Sequence, residues 1–210
     1  MRAILTLSLA MFFIGSVVTA GTLDDVKARG KVRCVVTTGL PGFAAPDANG
    51  NWKGFDWDFC RATAAAVIGN SNAVDPVTST GKTRFTKLNA GEGDVLWRNT
   101  TITFSRDVSV KLRFTGVNYY DGQGFMVNKS LGVSSAKDLD GASVCIQTGT
   151  TTELNLSDYF SSNNMSYEAV TIETNDEARQ NYEAGRCDVY TTDASGLSST
   201  RSSLPDPDAH

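Results

Sequence analysis

The segment Ala90-Gly91-Glu92-Gly93-Asp94-Val95 has a near copy later in the chain, Ala184-Gly185-Arg186-Cys187-Asp188-Val189. Both follow the pattern A-G-x-x-D-V, in which a glycine ends a helix and an aspartate leads into an apolar strand. A match of this length can arise by chance. Both copies, however, occupy the same place in the order of predicted helices and strands, so the sequence predicts two halves built on one plan.

Short apolar runs alternate with helix-like stretches through both halves. In the first half we predict strands at 31–37 and 94–97 and helices at 57–68 and 83–89. In the second half we predict strands at 143–147, 169–172 and 188–191 and helices at 151–160 and 175–184. This alternation predicts an α/β fold of two lobes with largely parallel sheets.

The segment 94–107 changes character at the end of its predicted strand. Its apolar start gives way to hydroxyl and amide side chains, among them Asn99 and Thr101, and Arg106 follows. Backbone N–H groups, hydroxyls and a guanidinium in this arrangement suit a small anion such as a carboxylate. The alternative is an exposed loop with a solvated arginine. Arg98 either receives an acidic ligand side chain or lies on the surface.

Asn99 and Asp193 hold equivalent positions in the two halves, each five residues after the aspartate of its A-G-x-x-D-V copy. Open α/β sheets bind ligands at the carboxyl ends of their strands, so both residues are expected at a cleft. If the lobes face each other, a cation and amides on one wall oppose a carboxylate on the other. This arrangement predicts a site for a zwitterion, most simply an α-amino acid. Asp193 could instead only cap the helix that follows it.

Thr150 and Glu153 have the spacing of a capping box, which predicts that a helix starts at this turn. The free N–H groups of the turn at Thr150 and Thr151 would then face the same carboxylate. An ordinary helix cap without a ligand is the alternative.

The chain has four cysteines, Cys34, Cys60, Cys145 and Cys187, which allow three pairings. The first two lie in the first half and the other two in the second, so we favour two local disulfides, 34–60 and 145–187. A zinc site is the weaker alternative, because no pair has the C-x-x-C spacing and the only histidine is His210.

The first twenty residues have the features of a cleavable export signal. Arg2 supplies the positive charge, residues 3–18 form an apolar run, and Val18-Thr19-Ala20 is a small-residue cleavage site. We expect cleavage near Ala20 and export to an oxidising compartment, which suits disulfides. An uncleaved anchor is the alternative, although the run is short for a membrane-spanning helix.

Charge and histidine content exclude several classes of function. The formal net charge of -4 provides no basic surface for DNA or other nucleic acid. Residues 1–209 contain no histidine, so a Ser-His-Asp or Cys-His nucleophile would lack its base. The glycine-rich phosphate loops are missing as well, and no cofactor or metal is predicted. Catalysis by carboxylates alone stays open, although no carboxylate pair stands out for it.

Six stretches in order along the chain carry a family resemblance: GLPGFAAP at 39–46, GFDWDF at 54–59, RNTTITFSR at 98–106, GVNYYDGQGFM at 116–126, TGTTTELNL at 148–156 and DVYTTDASGL at 188–197. They resemble the periplasmic solute-binding proteins of polar amino acid ABC transporters, and within these the general L-amino acid-binding group. The resemblance implies two Rossmann-like lobes with a hinge, the Venus flytrap or periplasmic binding protein-like II fold. The implied boundaries are a signal peptide at 1–20, lobe 1 at 21–117, a hinge crossing at 118–122 and lobe 2 at 123–210.

The resemblance also implies a binding function without catalysis. The chain would bind one L-amino acid, polar (Glu, Gln, Asp or Asn) or of a broader range, and deliver it as a monomer from the periplasm to a membrane permease. Its implied ligand residues are a carboxylate clamp of Arg106, Thr101, Asn99, Thr150 and Thr151, an ammonium partner, Asp193, and a wall of Phe43 and Phe55. A dehydratase or lyase on the same scaffold and an extracellular amino acid sensor domain are the alternatives.

Two large side chains and the end of the chain depart from the family pattern. Trp57 stands where an aliphatic residue is usual, and overpacking a core costs roughly 1–3 kcal/mol. Trp97 stands where a small residue is usual. Family members continue past the position of His210, so we expect the chain to lack the C-terminal part of lobe 1 and the closing strand of lobe 2.

Overall fold

The computed structural model describes residues 21–110 and 112–210, and the predicted signal peptide lies outside them. In this part of the chain two α/β units follow each other, each with its own sheet and core. We call them lobe 1 and lobe 2. No helix among the described residues is long and apolar enough to cross a membrane.

Lobe 1 has a parallel sheet flanked by helices. Its described elements are α1 (Thr22–Arg29), β1 (Val32–Thr37), β2 (Ala45–Pro46), β3 (Trp52–Lys53), α2 (Phe55–Ile68), β4 (Val74–Ser79), α3 (Arg84–Asn89), β5 (Val95–Leu96) and α4 (Phe104–Ser109). The sheet has the order β4-β1-β5, and β2 and β3 form a small antiparallel pair. The central strand β1 is buried at five of its six residues, as is usual for a strand covered on both faces.

Strand β4 is missed by the sequence pattern. Pro76 stands in its middle, and proline is normally confined to edge strands because it cannot donate a hydrogen bond to a neighbour. The strand tolerates Pro76 because it lies at the edge of the described sheet and pairs with β1. Pro76 would thus argue against a central strand, but it is compatible with an edge strand such as β4.

The two large tryptophans are accommodated in lobe 1. Trp57 points into the core with 7% of its surface exposed, and its ring lies 5.7 Å from that of Trp52. Trp97 stacks on Phe59 at 4.9 Å and donates its Nε1–H to the hydroxyl of Thr63 at 3.0 Å. Both side chains thus add aromatic contacts on either side of α2.

Lobe 2 has a mixed sheet. Its described elements are β6 (Gln123–Val127), β7 (Ser143–Gln147), α5 (Thr151–Ser162), β8 (Glu168–Ile172), α6 (Asn175–Glu183), β9 (Val189–Asp193) and α7 (Ala194–Arg201), with short 3-10 turns at Lys129–Leu131, Ala136–Leu139 and Pro207–Ala209. The strand order is β6-β9-β7-β8. Strand β6, which the sequence pattern also misses, is antiparallel to β9, whereas the other pairs are parallel.

Each lobe contains one of the two local disulfides favoured from the sequence. Cys34 of β1 is bonded to Cys60 of α2, with their Cα atoms 6.2 Å apart. Cys145 of β7 is bonded to Cys187, just before β9, with Cα atoms 5.6 Å apart. All four residues are buried, so each disulfide is part of the core of its lobe.

The two A-G-x-x-D-V copies make the same contact in the two lobes. The Asp94 N–H donates to the Arg33 carbonyl at 2.8 Å, and the Arg33 N–H donates to the Asp94 carboxylate at 2.7 Å. The Asp188 N–H donates to the Ser143 carbonyl at 2.9 Å, and the Ser143 N–H donates to the Asp188 carboxylate at 3.0 Å. Each aspartate thus ties the entrance of one strand to the start of its parallel neighbour, β1 in lobe 1 and β7 in lobe 2, which explains why the pattern occurs twice.

We predict that Asp188→Asn lowers the free energy of unfolding by about 1 kcal/mol, because a neutral amide oxygen accepts the Ser143 hydrogen bonds more weakly than a carboxylate. These bonds hold the pKa of Asp188 below its ordinary value. The stabilisation is therefore present above the unfolded pKa and is lost as the pH falls through the folded one. Urea unfolding at neutral and acidic pH measures both effects. Asp158→Asn, on the exposed face of α5, is the matched control, and an equal loss in both variants would contradict the prediction.

Candidate functional site

The strand ends predicted to form a ligand site meet across the two lobes. The Asn99 side-chain amide donates to the Asp193 carboxylate at 3.0 Å. The hydroxyls of Thr101 and Thr151 lie 3.1 Å apart. The structure therefore brings together two residues from each lobe that the sequence singles out.

Three buried guanidiniums surround the end of β5. Arg84, Arg98 and Arg106 are 3%, 9% and 8% exposed. Arg84 donates to the Asn99 carbonyl at 3.0 Å, and Arg106 donates to the Thr101 carbonyl at 2.9 Å. Burial lowers the pKa of all three side chains. The pKa of Arg98 falls to about 10, which leaves this side chain a cation at neutral pH.

Asp193 supplies the opposing charge from lobe 2. Burial raises the pKa of its carboxyl group. The hydrogen bond from Asn99 and the charges of Arg84 and Arg98 act in the opposite direction, while Asp121 adds to the rise. A carboxylate thus faces several cations across the contact between the lobes, a charge arrangement that complements a zwitterion.

A cavity of about 620 Å³ lies at this junction. Its lining includes five of the predicted ligand residues: Phe43, Asn99, Thr101, Thr151 and Asp193. The cavity continues along the extended segment 112–123. The other three predicted residues, Arg106, Thr150 and Phe55, are not part of the lining.

Phe43 and Phe55 belong to an aromatic cluster on the lobe 1 side. Their ring centroids are 6.2 Å apart, and each ring lies 5.7 Å from that of Tyr119 in an edge-to-face arrangement. Phe55 also packs against Phe59 at 5.0 Å. Phe43 therefore faces the cavity, whereas Phe55 supports it from behind.

The helix start at Thr150 differs in one detail from the predicted capping box. Thr150 accepts the Glu153 N–H at 3.1 Å, as expected for a cap. The Glu153 carboxylate, however, accepts the N–H of Gly149, one residue before the cap, at 2.8 Å. Gly149 itself lies in the left-handed region of the backbone, with a φ of 72°. Thr151 is the residue of this turn that reaches the cavity.

Two glycines allow the lobes to approach closely beside the site. A Cβ at Gly81 would lie 2.9 Å from the Thr150 side chain. A Cβ at Gly149 would lie 2.9 Å from the Lys82 Cα atom. Cβ atoms in real proteins essentially never make contacts this short. The lobes can therefore approach each other here only because Gly81 and Gly149 have no side chain.

Several residues of the junction are missed by sequence reasoning. Asn175 donates to the Thr37 hydroxyl at 3.0 Å, and Ser199 donates to the Pro41 carbonyl at 2.6 Å, so both join the lobes. These partners are 138 and 158 residues apart in sequence, a separation at which no local pattern applies. Arg84 is missed although its helix is predicted, because its bond to the Asn99 carbonyl joins residues 15 apart that no local pattern links.

Residues 32–183 match the model of the bacterial extracellular solute-binding proteins, family 3. The chain belongs to this family. Its two-lobed α/β fold is therefore confirmed, as is the resemblance stated from the sequence. The match includes β1, where the lobe 1 sheet begins, and extends to the end of α6 in lobe 2.

The relatives in this family are amino acid-binding proteins. The chain is 61% identical to the glutamate/glutamine/aspartate/asparagine-binding protein BztA of Rhodobacter capsulatus, over 91% of this chain and 57% of that protein. It is 57% identical to the general L-amino acid-binding periplasmic protein AapJ of Rhizobium johnstonii, over 93% of this chain and 57% of that protein. The chain thus spans little more than half the length of these two relatives.

Two solved structures are similar to this chain in fold. An ABC transporter periplasmic binding protein from Brucella ovis, with glutathione bound, is 53% identical with a TM-score of 0.87, over 91% of this chain and 60% of that one. The ancestral amino acid-binding protein AncCDT-1, a precursor of cyclohexadienyl dehydratase, is 29% identical with a TM-score of 0.75, over 85% and 76% of the two chains.

Proposed function

We propose that the chain carries the ligand site of the substrate-binding component of an amino acid ABC transporter, which binds one L-amino acid between its lobes and delivers it to a membrane permease. The observation that carries this proposal is the opposition of Asp193 to the cationic end of β5 across a cavity between the lobes. Export to the periplasm, a hinge crossing at 118–122 and action as a monomer belong to the same proposal.

In this function the α-ammonium of the ligand binds Asp193, replacing the amide of Asn99. The α-carboxylate binds the hydroxyls of Thr101 and Thr151 and the N–H groups of the turn at Thr150. Arg106 supplies the charge for this carboxylate from behind Thr101, whose carbonyl it already contacts. The lobes then close around the ligand. The ligand favours the closed form to the extent that it binds this form more tightly than the open form.

A polar or acidic side chain is the preferred ligand type in this proposal. The relatives named for their ligands bind glutamate, glutamine, aspartate and asparagine, or L-amino acids generally. Arg84 and Arg98 place two further cations beside the same strand end. They favour a ligand whose side chain carries a carboxylate or an amide.

Catalysis is not favoured. A lyase on this scaffold needs an acid with a raised pKa in the cleft, and Asp56 fits that description because burial raises its pKa to about 6. Relatives that are 61% and 57% identical to this chain are nevertheless named as amino acid-binding proteins. Turnover of a bound hydroxylated amino acid would reverse this preference.

Calorimetry of the chain with a panel of L-amino acids tests the proposed function, and we expect binding of at least one polar member. Arg106→Ala should weaken that binding by roughly tenfold, because it removes one charge behind Thr101 and the hydrogen bond that holds the Thr101 carbonyl, while the neighbouring arginines retain part of the positive field. Arg186→Ala, exposed in lobe 2, is the control. No heat with any amino acid would overturn the function, and an unchanged affinity of Arg106→Ala would overturn its role as a clamp.

A further inference from the structure

Asp56 is a buried carboxylate that has no hydrogen-bond partner for one of its oxygens in the part of the chain that the structure describes. It is the second residue of α2, is 3% exposed, and its Oδ2 atom is enclosed with no hydrogen bond among the described residues. Leaving a buried acceptor unsatisfied costs about 1–3 kcal/mol, and more for a charged group. Such exceptions are rare enough in folded proteins that each needs an explanation.

Arg98 offers the complementary donor. Its Nη1 donates to the Ser79 carbonyl at 2.9 Å, and its Nη2 donates to the Asn99 side chain at 3.3 Å. A guanidinium has five N–H groups, and the Nε–H of Arg98 is buried without a partner among the described residues. The two charges act on each other, since Arg98 lowers the pKa of Asp56 and Asp56 raises that of Arg98. They form no direct ion pair within the described part of the chain.

Both residues line the same cavity as Asn99 and Asp193. Both side chains are therefore part of the wall of the space that would hold the remainder of an amino acid whose ammonium is at Asp193. Their unsatisfied atoms are enclosed in this wall, so a side-chain rotation has to expose them to a ligand. We propose that Asp56 and Arg98 bind the polar end of the ligand side chain, a carboxamide or a carboxyl group, and so set its specificity. This inference rests on the proposed function.

The protonation of Asp56 decides which of the two groups is preferred. Ionised Asp56 accepts the NH₂ of an amide while Arg98 donates to its carbonyl. Protonated Asp56 donates, together with Arg98, to a carboxylate. Burial raises the pKa of Asp56 to about 6, so this change falls within an accessible pH range.

The comparison with Asp56→Asn separates Asp56 from the other charged groups of the site. The cavity is also lined by Asp94, Arg113, Asp121 and Asp193, and Asp58 follows on the helix of Asp56 itself. Asp94 is held by Arg29 and Arg33, and Asp193 faces the α-ammonium that glutamine and glutamate share. All of these groups remain in Asp56→Asn, so a pH dependence of the ratio that disappears in this variant belongs to Asp56.

The test is calorimetry of the chain with glutamine and with glutamate at pH 5.5 and 7.5. We expect the affinity for glutamate relative to glutamine to be about tenfold or more higher at the lower pH, because only the protonated fraction of Asp56 accepts a carboxylate. Asp56→Asn should abolish this pH dependence of the ratio. Asp58→Asn, the same change on the exposed side of α2, should retain it.

The possible results separate the inference from the proposed function. A ratio that does not change with pH in the native chain overturns the inference, and this measurement does not depend on any variant folding. A pH dependence that persists in Asp56→Asn also overturns it, as does binding of other amino acids but of neither glutamine nor glutamate. Absence of binding by every amino acid overturns the proposed function and the inference with it.

Discussion

Asp193→Asn is expected to reduce amino acid binding by about 2–5 kcal/mol, which corresponds to a loss of roughly thirtyfold to several thousandfold in affinity. Asp193 is the carboxylate of lobe 2 that faces the cationic end of β5, and Arg84 and Arg98 both act on it. In the variant, the ligand ammonium would enter a site among buried guanidiniums without its counter-charge. The loss should therefore exceed that of Arg106→Ala, whose positive field is shared by its neighbours.

Calorimetry with the tightest ligand of the native chain measures this loss. Asp206→Asn, exposed near the end of the chain, is the control for the same chemical change. Binding by the native chain should also weaken at low pH, because burial raises the pKa of Asp193 and its charge is lost as the pH falls through that value. Affinity within twofold of native in Asp193→Asn, with a normal melting curve, would contradict the role of this residue.

Removing the lobe 2 disulfide with Cys145→Ala and Cys187→Ala together is expected to lower the free energy of unfolding by about 4 kcal/mol. The bonded residues are 42 apart in sequence, and the chain-entropy model gives about this value for a loop of that length. Alanine is the suitable replacement because both cysteines are buried, and a serine hydroxyl would need a partner there.

The lobe 1 disulfide provides the matched comparison. Its residues are 26 apart, so Cys34→Ala with Cys60→Ala should cost a few tenths of a kcal/mol less in the same model. Denaturant unfolding followed by circular dichroism measures both losses. If reduction or either double variant left the midpoint unchanged, the disulfides would not be the structural bonds that their burial indicates.

Much of the fold follows from local patterns. The A-G-x-x-D-V copies predict two strand entrances correctly because each aspartate is bonded to the backbone of its own lobe. The strand at Ser143–Gln147 is predicted to the residue, as is the start of the helix at Thr151, where Thr150 accepts the Glu153 N–H. Strand β4 escapes prediction because Pro76 is acceptable only at a sheet edge, and edge position is a property of the assembled sheet.

The site is predictable where it lies at strand ends and escapes prediction where burial decides. The positions of Asn99 and Asp193 are predicted from their equal sequence spacing after the two repeated aspartates. The structure places the Asn99 side-chain nitrogen 3.0 Å from an Asp193 carboxylate oxygen. Asp56 could not be selected, since an aspartate in the first turn of a helix is expected to bond to free N–H groups, and Asp58 has the same pattern. What separates the two is enclosure by residues distant in sequence, which leaves Asp56 buried and Asp58 exposed.

The hydrogen bond between Asn99 and Asp193 uses only part of the carboxylate. The Asn99 amide donates to Oδ2, and a carboxylate has lone pairs on both of its oxygens. In the proposed function, a ligand ammonium that takes the place of the amide therefore retains a second oxygen of the same side chain for a further bond. A carboxylic acid without an α-ammonium would leave the pair of Asn99 and Asp193 as it is. We expect its affinity to lack the whole contribution of Asp193.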